Sequence, residues 1–222
     1  MKVILVNGSP RKNFNTMAML MKAKEGAEAK GAKTEVFHLY DYTYKGCISC
    51  FACKVKNSKT NGVCAYRDDL RPLLEKLQNA DVLIIGAPIY YDQPNAQTRS
   101  FLERLMFPLS PYMVDPKTKE RLRFLDRTLP VGLIYTMNCP EELSNQFNYP
   151  ILLGSLHNYA QQIFGYAEML CAYNTYQYAD YSRYDTNMFD EHEKAEYREQ
   201  QFPIDCKKAY ELAQHLMEYA GH

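Results

Sequence analysis

Short apolar runs alternate with longer stretches of helical periodicity along this chain, and this alternation restricts the possible folds more than any other feature. Strands buried on both faces are near-continuous apolar runs, and parallel strands need helical crossovers between them. The sequence therefore predicts an α/β fold with a parallel sheet covered by helices on both faces. Five predicted strands occupy residues 2–6, 34–39, 82–85, 130–136 and about 167–173.

The helix boundaries are predicted from capping residues and breakers. Asn15 or Thr16 is expected to cap the first helix, which stops at Gly31, and Asp68 or Asp69 is expected to cap the second. A turn at 86–88 is expected to end the third strand. Further helices are predicted from about 96 to 105 and over 145–164 and 203–220, with an irregular stretch at 108–127.

The 222 residues are expected to form a single domain, residues 1–222, carrying a cysteine-containing loop at 41–66. A tyrosine-rich and charged segment at about 176–201, called the appendage below, shows little apolar periodicity and is expected to be irregular. Within it, the charge-rich end at 191–201 is typical of a solvated helix face.

Charge and hydropathy exclude two classes of partner. Lys and Arg number 26 and Asp and Glu number 26, so no net charge attracts the chain to nucleic acid. The N-terminal apolar run is too short for a signal-peptide core, and Gly86 and Pro88 interrupt the most apolar stretch, so no membrane span is expected. These observations predict a cytoplasmic protein.

The loop after the first strand is a candidate phosphate site. It reads G-S-P-R-K-N-F-N-T over residues 8–16 and leads into a helix N-terminus. Exposed N–H groups, the helix dipole, hydroxyl and amide side chains and Arg11 together suit a phosphate. Neither G-x-G-x-x-G nor G-K-[ST] is present, which counts against a dinucleotide fingerprint and a P-loop. The alternative is a plain strand-to-helix loop whose polar side chains only cap the helix.

The loop after the third strand is a candidate ring site. Prolines at 88 and 94 stiffen it, and the paired residues Tyr90 and Tyr91 offer flat apolar faces for a planar ring. The N–H groups of Ile89 and Tyr90, expected to lack a strand partner, are candidate donors to ring heteroatoms. The alternative is that both tyrosines pack under the loop.

The loop after the fourth strand contains Thr136 and Asn138, which are candidates to close the far side of a ring site. The carboxyl ends of parallel strands meet at one edge of a sheet, where ligands bind in open α/β folds. Together, the three loops predict a mononucleotide site.

Four of the seven cysteines crowd into one loop, at positions 47, 50, 53 and 64. Three thiols at C-x-x-C-x-x-C spacing, with a fourth returned by an Asn-Gly turn, suit an iron–sulfur cluster. Structural zinc and a loop of free thiols remain as alternatives. A disulfide scaffold is not expected in a chain of this size.

These motifs occur in a familiar order. G-S-P-R-x-x-x-N-T, G-C-x-x-C-x-x-C, G-x-C, D-D, G-A-P-I-Y-Y and R-S-F-L-E-R follow one another over roughly residues 1–140. The chain resembles the flavodoxin-like NAD(P)H-dependent FMN reductases, and within them the iron–sulfur flavoproteins. The resemblance implies a flavodoxin-like three-layer sandwich with a five-stranded parallel sheet in the order 2-1-3-4-5, and a homodimer or homotetramer.

The resemblance also implies roles for individual residues. The FMN phosphate would be held by Ser9, Arg11, Asn13, Asn15 and Thr16. The isoalloxazine ring would be contacted by Pro88, Ile89, Tyr90 and Tyr91. A [4Fe-4S] cluster would be bound by Cys47, Cys50, Cys53 and Cys64, although residues inserted before Gly62 depart from the compact motif.

The predicted function is electron transfer through bound FMN. NAD(P)H, or a ferredoxin-type donor, would reduce the flavin, which would pass electrons to a small acceptor such as a quinone, a nitro compound or free flavin. No catalytic side chain is required. Two alternatives are an electron carrier with FMN and a [4Fe-4S] cluster, and a non-redox binding protein on the same fold.

Overall fold

A parallel sheet forms the centre of the molecule in a computed structural model that describes residues 1–220; Gly221 and His222, the end of the predicted domain, lie outside the described residues. The strand order is β2-β1-β3-β5-β6, with the short β4 paired antiparallel to β3. Without β4, this is the 2-1-3-4-5 order predicted above, which is confirmed. The strands are β1 (Lys2–Asn7), β2 (Lys33–His38), β3 (Val82–Tyr90), β4 (Gln93–Pro94), β5 (Val131–Thr136) and β6 (Ala167–Ala172).

Helices cover both faces of the sheet, as predicted. α1 and α7 pack together on one face, while α2, α3 and α5 supply the core of the other. Along β1, Val3 and Leu5 face the first layer and Ile4 and Val6 face the second, so the strand is continuously apolar between its polar ends. The helices are α1 (Asn15–Ala29), α2 (Arg71–Leu77), α3 (Ala96–Leu109), α4 (Glu141–Gln146), α5 (Tyr149–Phe164), α6 (Glu191–Gln200) and α7 (Phe202–Glu218).

The register brings the ends of three strands to one edge. Asn7 of β1 pairs with Gly86 of β3, and Pro88 of β3 pairs with Thr136 of β5. The loops that follow β1, β3 and β5 therefore leave the sheet side by side, which is the arrangement predicted for the candidate site.

The predicted helix caps are wrong. Phe14 is the N-cap of α1, so Asn15 and Thr16 are its first two helical residues. Leu70 is the N-cap of α2, and Asp68 instead accepts the N–H of Leu70 at 3.3 Å in a local turn. The polar side chains near the start of each helix form hydrogen bonds elsewhere and do not cap the helix. The preference of these residue types for the N-cap position therefore did not decide where either helix begins.

The predicted turn after the third strand is also wrong, because β3 continues to Tyr90. β1 has ended by that point, and β4 takes its place, pairing Ile89 with Pro94 and Tyr90 with Gln93. Ile89 and Tyr90 thus have a strand partner, contrary to expectation. The edge left by β1 would otherwise expose unpaired backbone groups of β3.

The appendage is irregular as far as Asp190, apart from a short 3₁₀ helix at Tyr181–Arg183, and is helical beyond Asp190. The carboxylate of Asp190 caps α6, accepting the N–H groups of His192 at 2.6 Å and Glu193 at 3.2 Å. Most of α6 faces solvent as its charges predicted, but Lys194 is buried. Of the helices described in residues 1–220, none combines the length and the apolar character needed to cross a membrane.

Candidate functional site

The loop after β1, residues 8–14 and called the phosphate loop below, is fixed by backbone contacts at Gly8. Its N–H donates to the carbonyl of Gly86 at 2.8 Å, and its carbonyl accepts the side-chain amide of Asn95 at 2.8 Å. A Cβ at Gly8 would lie 2.0 Å from Oγ1 of Thr98. Glycine is therefore required for the loop to lie against β3 and the start of α3.

The N-terminus of α1 is free to bind an anion. Among residues 1–220, no side chain caps this helix, and its first turn contains no acidic residue. Thr16 is buried, and its hydroxyl lies 2.8 Å from the hydroxyl of Thr136. Uncapped N–H groups and the positive end of the helix dipole are the elements of a phosphate site.

Arg11 adds positive charge beside this helix terminus. Its guanidinium lies 3.8 Å from the centroid of the Phe14 ring and donates to the carbonyl of Gln177 in the appendage. Within the described residues it forms no ion pair with a carboxylate. Desolvation lowers the pKa of Arg11, but the guanidinium stays charged at neutral pH. An unpaired, partly desolvated cation favours a bound phosphate.

The other residues that were predicted to hold the phosphate have different surroundings. The backbone N–H of Arg11 donates to the buried hydroxyl of Ser9 at 3.1 Å, which shapes the loop. Asn13 is exposed. The amide of Asn15 donates to the carbonyl of Tyr176 at 2.6 Å, so it anchors the appendage.

The β3–β4 hairpin, which contains the candidate ring site, closes in a strained turn. Tyr91 and Asp92 both have left-handed backbone angles, with φ of 48° and 67°. Left-handed conformations at two successive positions suit a type I′ hairpin, where Asn-Gly is preferred. Tyr91 is 99% exposed and Tyr90 is half-exposed. A bulky aromatic residue held outward in a strained turn is typical of a functional position.

Replacing Tyr91 with asparagine is expected to stabilise the flavin-free chain by about 1 kcal/mol, because asparagine tolerates the left-handed region and the exposed ring makes no packing contribution. Urea unfolding measures this change. Met188→Asn is the control, since Met188 is 80% exposed without a positive φ. A stability gain in both variants, or in neither, would contradict the strain at Tyr91.

The loop after β5 presents a buried acceptor without a partner. In the described part of the chain, Oδ1 of Asn138 has no hydrogen-bond donor. The backbone of this loop is fixed from the C-terminal side, since Thr175 donates to the carbonyl of Met137 at 3.0 Å and Asn174 donates to that of Cys139 at 2.9 Å. A buried amide oxygen without a donor fits a site completed by a ligand N–H.

Lys194 supports this loop, and sequence analysis missed it. Its ammonium donates to the carbonyl of Asn138 at 2.7 Å and to the side chain of Asn174 at 2.8 Å. Burial lowers the pKa of Lys194 to about 8. The residue sits in a run of charged residues on α6, and no local pattern distinguishes it from its solvated neighbours.

This pKa makes the stability of the chain depend on pH in a defined direction. Lys194 loses its proton near pH 8 in the folded chain and near its ordinary value of 10.5 in the unfolded chain. Between these values the unfolded state binds more protons, so stability rises with pH. Relative to Lys194→Met, the wild type should gain about 1–2 kcal/mol between pH 8 and 9.5.

Urea unfolding of both proteins across that range measures the difference in stability between them. Parallel stability curves for wild type and Lys194→Met would contradict the lowered pKa.

The four clustered cysteines line one small cavity of about 20 Å³. Cys47 and Cys50 are exposed, whereas Cys53 and Cys64 are partly buried. Helix α3 holds the loop at both ends: Glu103 accepts the N–H of Cys47 at 3.1 Å, and Nε of Arg104 donates to Sγ of Cys64 at 3.3 Å.

This arrangement does not fit a metal centre. Within residues 1–220, no three Cys, His, Asp or Glu side chains converge on a common metal position. The cavity has about the volume of one water molecule, too little for an iron–sulfur cluster. The structure thus brings the four thiols to one place without forming a ligand set.

Several residues of the predicted site lie near one another at the edge of the sheet. Thr16 contacts Thr136 directly, and Arg11 lies close enough to Tyr90 for its charge to oppose the rise that burial causes in the pKa of Tyr90. Asn95, which connects the hairpin to Gly8, was not predicted. Its position before the third helix is an N-cap signal that identifies it in retrospect.

A match to a protein family defines the class of this chain. Residues 1–121, more than half of the chain, match the NADPH-dependent FMN reductases, and the chain belongs to that family.

Two curated relatives of this chain are iron–sulfur flavoproteins. An iron–sulfur flavoprotein of Archaeoglobus fulgidus is 36% identical over 104 residues, which are 47% of this chain and 48% of the relative. The iron–sulfur flavoprotein of Methanosarcina thermophila is 30% identical over 104 residues, 47% of this chain and 52% of the relative. The chain thus matches about half the length of these curated relatives.

Solved structures share the fold over the whole chain. An NAD(P)H:quinone oxidoreductase from Methanothermobacter marburgensis superposes with a TM-score of 0.69 at 14% identity, covering 100% of this chain and 99% of the other. An azoreductase from Bacillus anthracis gives 0.64 at 11% identity, covering 97% and 99%. At these identities the likeness shows the fold alone.

Proposed function

We propose that the protein is an FMN-dependent oxidoreductase that takes electrons from NAD(P)H and passes them to a small acceptor. The observation that carries the proposal is the uncapped N-terminus of α1 with unpaired Arg11 beside it, at the edge of the sheet where Tyr90 and Asn138 also lie. Membership of the FMN reductase family supports the proposed FMN-dependent oxidoreductase activity.

The residues present fit FMN from its phosphate to its ring. The N–H groups of α1, with Arg11 and Thr16, would hold the phosphate. The single N–H on the pyrimidine edge of the ring would donate to the unpartnered Oδ1 of Asn138, and Tyr90 and Tyr91 would flank the ring face. FMN, when bound, supplies the hydride and single-electron chemistry, so no side chain acts as acid or base.

The proposed acceptor is a quinone, a nitro compound or free flavin. The half-exposed ring of Tyr90 and the exposed ring of Tyr91 leave room for a planar molecule at the outer edge of the hairpin. We also propose a cytoplasmic homodimer or homotetramer. Exposed apolar side chains on α5, Ile151 and Tyr159 among them, support self-association through that helix.

The visible spectrum tests the proposal. Protein loaded with FMN under anaerobic conditions should show two resolved flavin bands that bleach when NADPH or NADH is added. A protein that takes up FMN without bleaching with either nucleotide would contradict reductase activity. A protein that never takes up FMN would leave only the non-redox binding function.

A second candidate is an electron carrier with FMN and a [4Fe-4S] cluster, which a ferredoxin-type donor would reduce. The convergence of four cysteines on one cavity, together with the names of the relatives, favours it. Because the described cavity is too small, the loop at 41–66 would have to rearrange. Iron and acid-labile sulfide in anaerobically purified protein, lost in Cys53→Ser, would support this candidate. Their absence from wild-type protein would contradict it.

A further inference from the structure

A cleft lies between the phosphate loop and the appendage. Its volume is about 610 Å³, which lies in the range of small-molecule sites. Phe14 lines one side, and Tyr176 and Tyr178 line the other. Both tyrosine rings are packed by the protein itself: Tyr178 stacks on Tyr184 with centroids 4.0 Å apart, and Tyr176 packs against Tyr181 at 5.5 Å. Fixed aromatic walls of this kind favour a flat ring.

Two charged side chains complete the cleft. Arg198 donates to Oδ1 of Asn15 at 3.2 Å and lies 5.5 Å from the ring of Tyr176, yet within residues 1–220 it forms no ion pair. Glu199 lines the same cleft. A guanidinium binds phosphate, and a carboxylate accepts hydrogen bonds from ribose hydroxyls. The cleft thus combines groups that recognise a base, a ribose and a phosphate.

We propose that this cleft binds an adenosine phosphate, with the base against the aromatic walls, the ribose on Glu199 and a phosphate on Arg198. The identity of the nucleotide rests on the proposed function, in which the adenosine end of the pyridine dinucleotide donor occupies the cleft. An apolar planar molecule would leave Arg198 unused, and a simple inorganic anion would leave the aromatic walls unused.

The position of the cleft suits a dinucleotide whose other end reaches the flavin. Phe14, in the wall of the cleft, carries the Arg11 guanidinium on its ring. Arg11 in turn lies within electrostatic reach of both Tyr90, on the hairpin, and Tyr181, which packs against Tyr178. The cleft and the ring site are therefore neighbours across Arg11.

Calorimetric titration of FMN-free protein with ADP tests the site directly. ADP should bind with one-to-one stoichiometry, and Arg198→Gln should weaken this binding at least tenfold. Tyr178→Leu, which keeps apolar volume but removes the flat ring, should weaken it several-fold. Lys207→Gln is the control, because the Lys207 side chain is 77% exposed on α7 and should have no effect. Absence of saturable binding, or equal binding by Arg198→Gln, would overturn the proposal.

Two further measurements separate this proposal from the function on which it rests. FMN should not displace bound ADP. If one FMN displaced one ADP, the cleft would be the flavin site, and the assignment of the cleft to an adenosine phosphate would be overturned. With FMN saturating, Arg198→Gln should raise the KM for the pyridine nucleotide at least tenfold without changing kcat; an unchanged KM would overturn it. If the protein bound ADP but NADPH never bleached its bound flavin, the proposed function would be contradicted while the adenosine phosphate site would still be supported.

Discussion

Arg104→Met is expected to lower the free energy of unfolding by about 3–5 kcal/mol, the usual effect of removing one partner from a buried ion pair. The Arg104 side chain is fully buried and pairs with Asp68, which is 13% exposed. Arg104 also donates to the carbonyls of Lys45 at 3.1 Å and Tyr66 at 3.0 Å. Its loss leaves Oδ2 of Asp68 and the two carbonyls without this donor.

Urea unfolding of Arg104→Met, compared with two further variants, measures this effect. Arg104→Met with Asp68→Leu should recover part of the loss, because the uncompensated carboxylate is gone while the carbonyls stay without a donor. Arg99→Met is the control, since Arg99 lies on the same helix and forms no ion pair among residues 1–220. A loss below 1 kcal/mol in Arg104→Met, or an equal loss in Arg99→Met, would contradict this account.

Arg11→Gln is expected to weaken FMN binding about 10- to 100-fold, because a hydrogen bond to a charged group contributes about 1.5–3 kcal/mol. Riboflavin lacks the phosphate, so its affinity should not change. Fluorescence titration of the flavin-free protein with each flavin measures both affinities. The comparison between the two flavins separates a phosphate contact from a general loss of folding.

Lys12→Gln is the matched control for Arg11→Gln. Lys12 lies next to Arg11 in the phosphate loop, but its ammonium pairs with Asp41 at 2.5 Å and is half-exposed. The two variants lose the same charge from the same loop, yet only Arg11→Gln should lose FMN. Equal losses in both variants would show that net charge, rather than a contact, holds the phosphate.

The sheet was predictable because its signal is local and repeated. Each buried strand is an apolar run, and loops at the carboxyl ends of parallel strands must meet at one edge, so Arg11, Tyr90 and Thr136 were placed together without any knowledge of side-chain contacts. The length of β3 was not predictable from its composition. β4 extends it by pairing with Ile89 and Tyr90, and such pairing depends on where β1 ends.

The contacts that the appendage makes with the candidate site could not be predicted, because they join residues that are far apart in the sequence. Lys194 and Arg198 lie in one charged run, but Lys194 is buried against the Asn138 carbonyl and Arg198 reaches Asn15 at the opposite end of the sequence. Spacing along α6 does not distinguish them. For the cysteine loop, the spacing of the motif correctly predicted that the four thiols come together, because they line one cavity. The spacing did not predict whether their sulfurs lie at metal-binding distances, because those distances depend on the backbone outside the motif.

The hydrogen bond from Asn95 to Gly8 limits how proteins of this kind can diverge. It joins the hairpin to the phosphate loop, so an insertion in either segment would displace both halves of the proposed flavin site together. Among the described residues, the irregular stretch at 110–130 forms no hydrogen bond to Gly8, so it can change in length without moving the hairpin or the phosphate loop. If the proposed function is correct, new acceptor preferences are expected to arise in this stretch, by insertion and deletion, around an unchanged proposed flavin site.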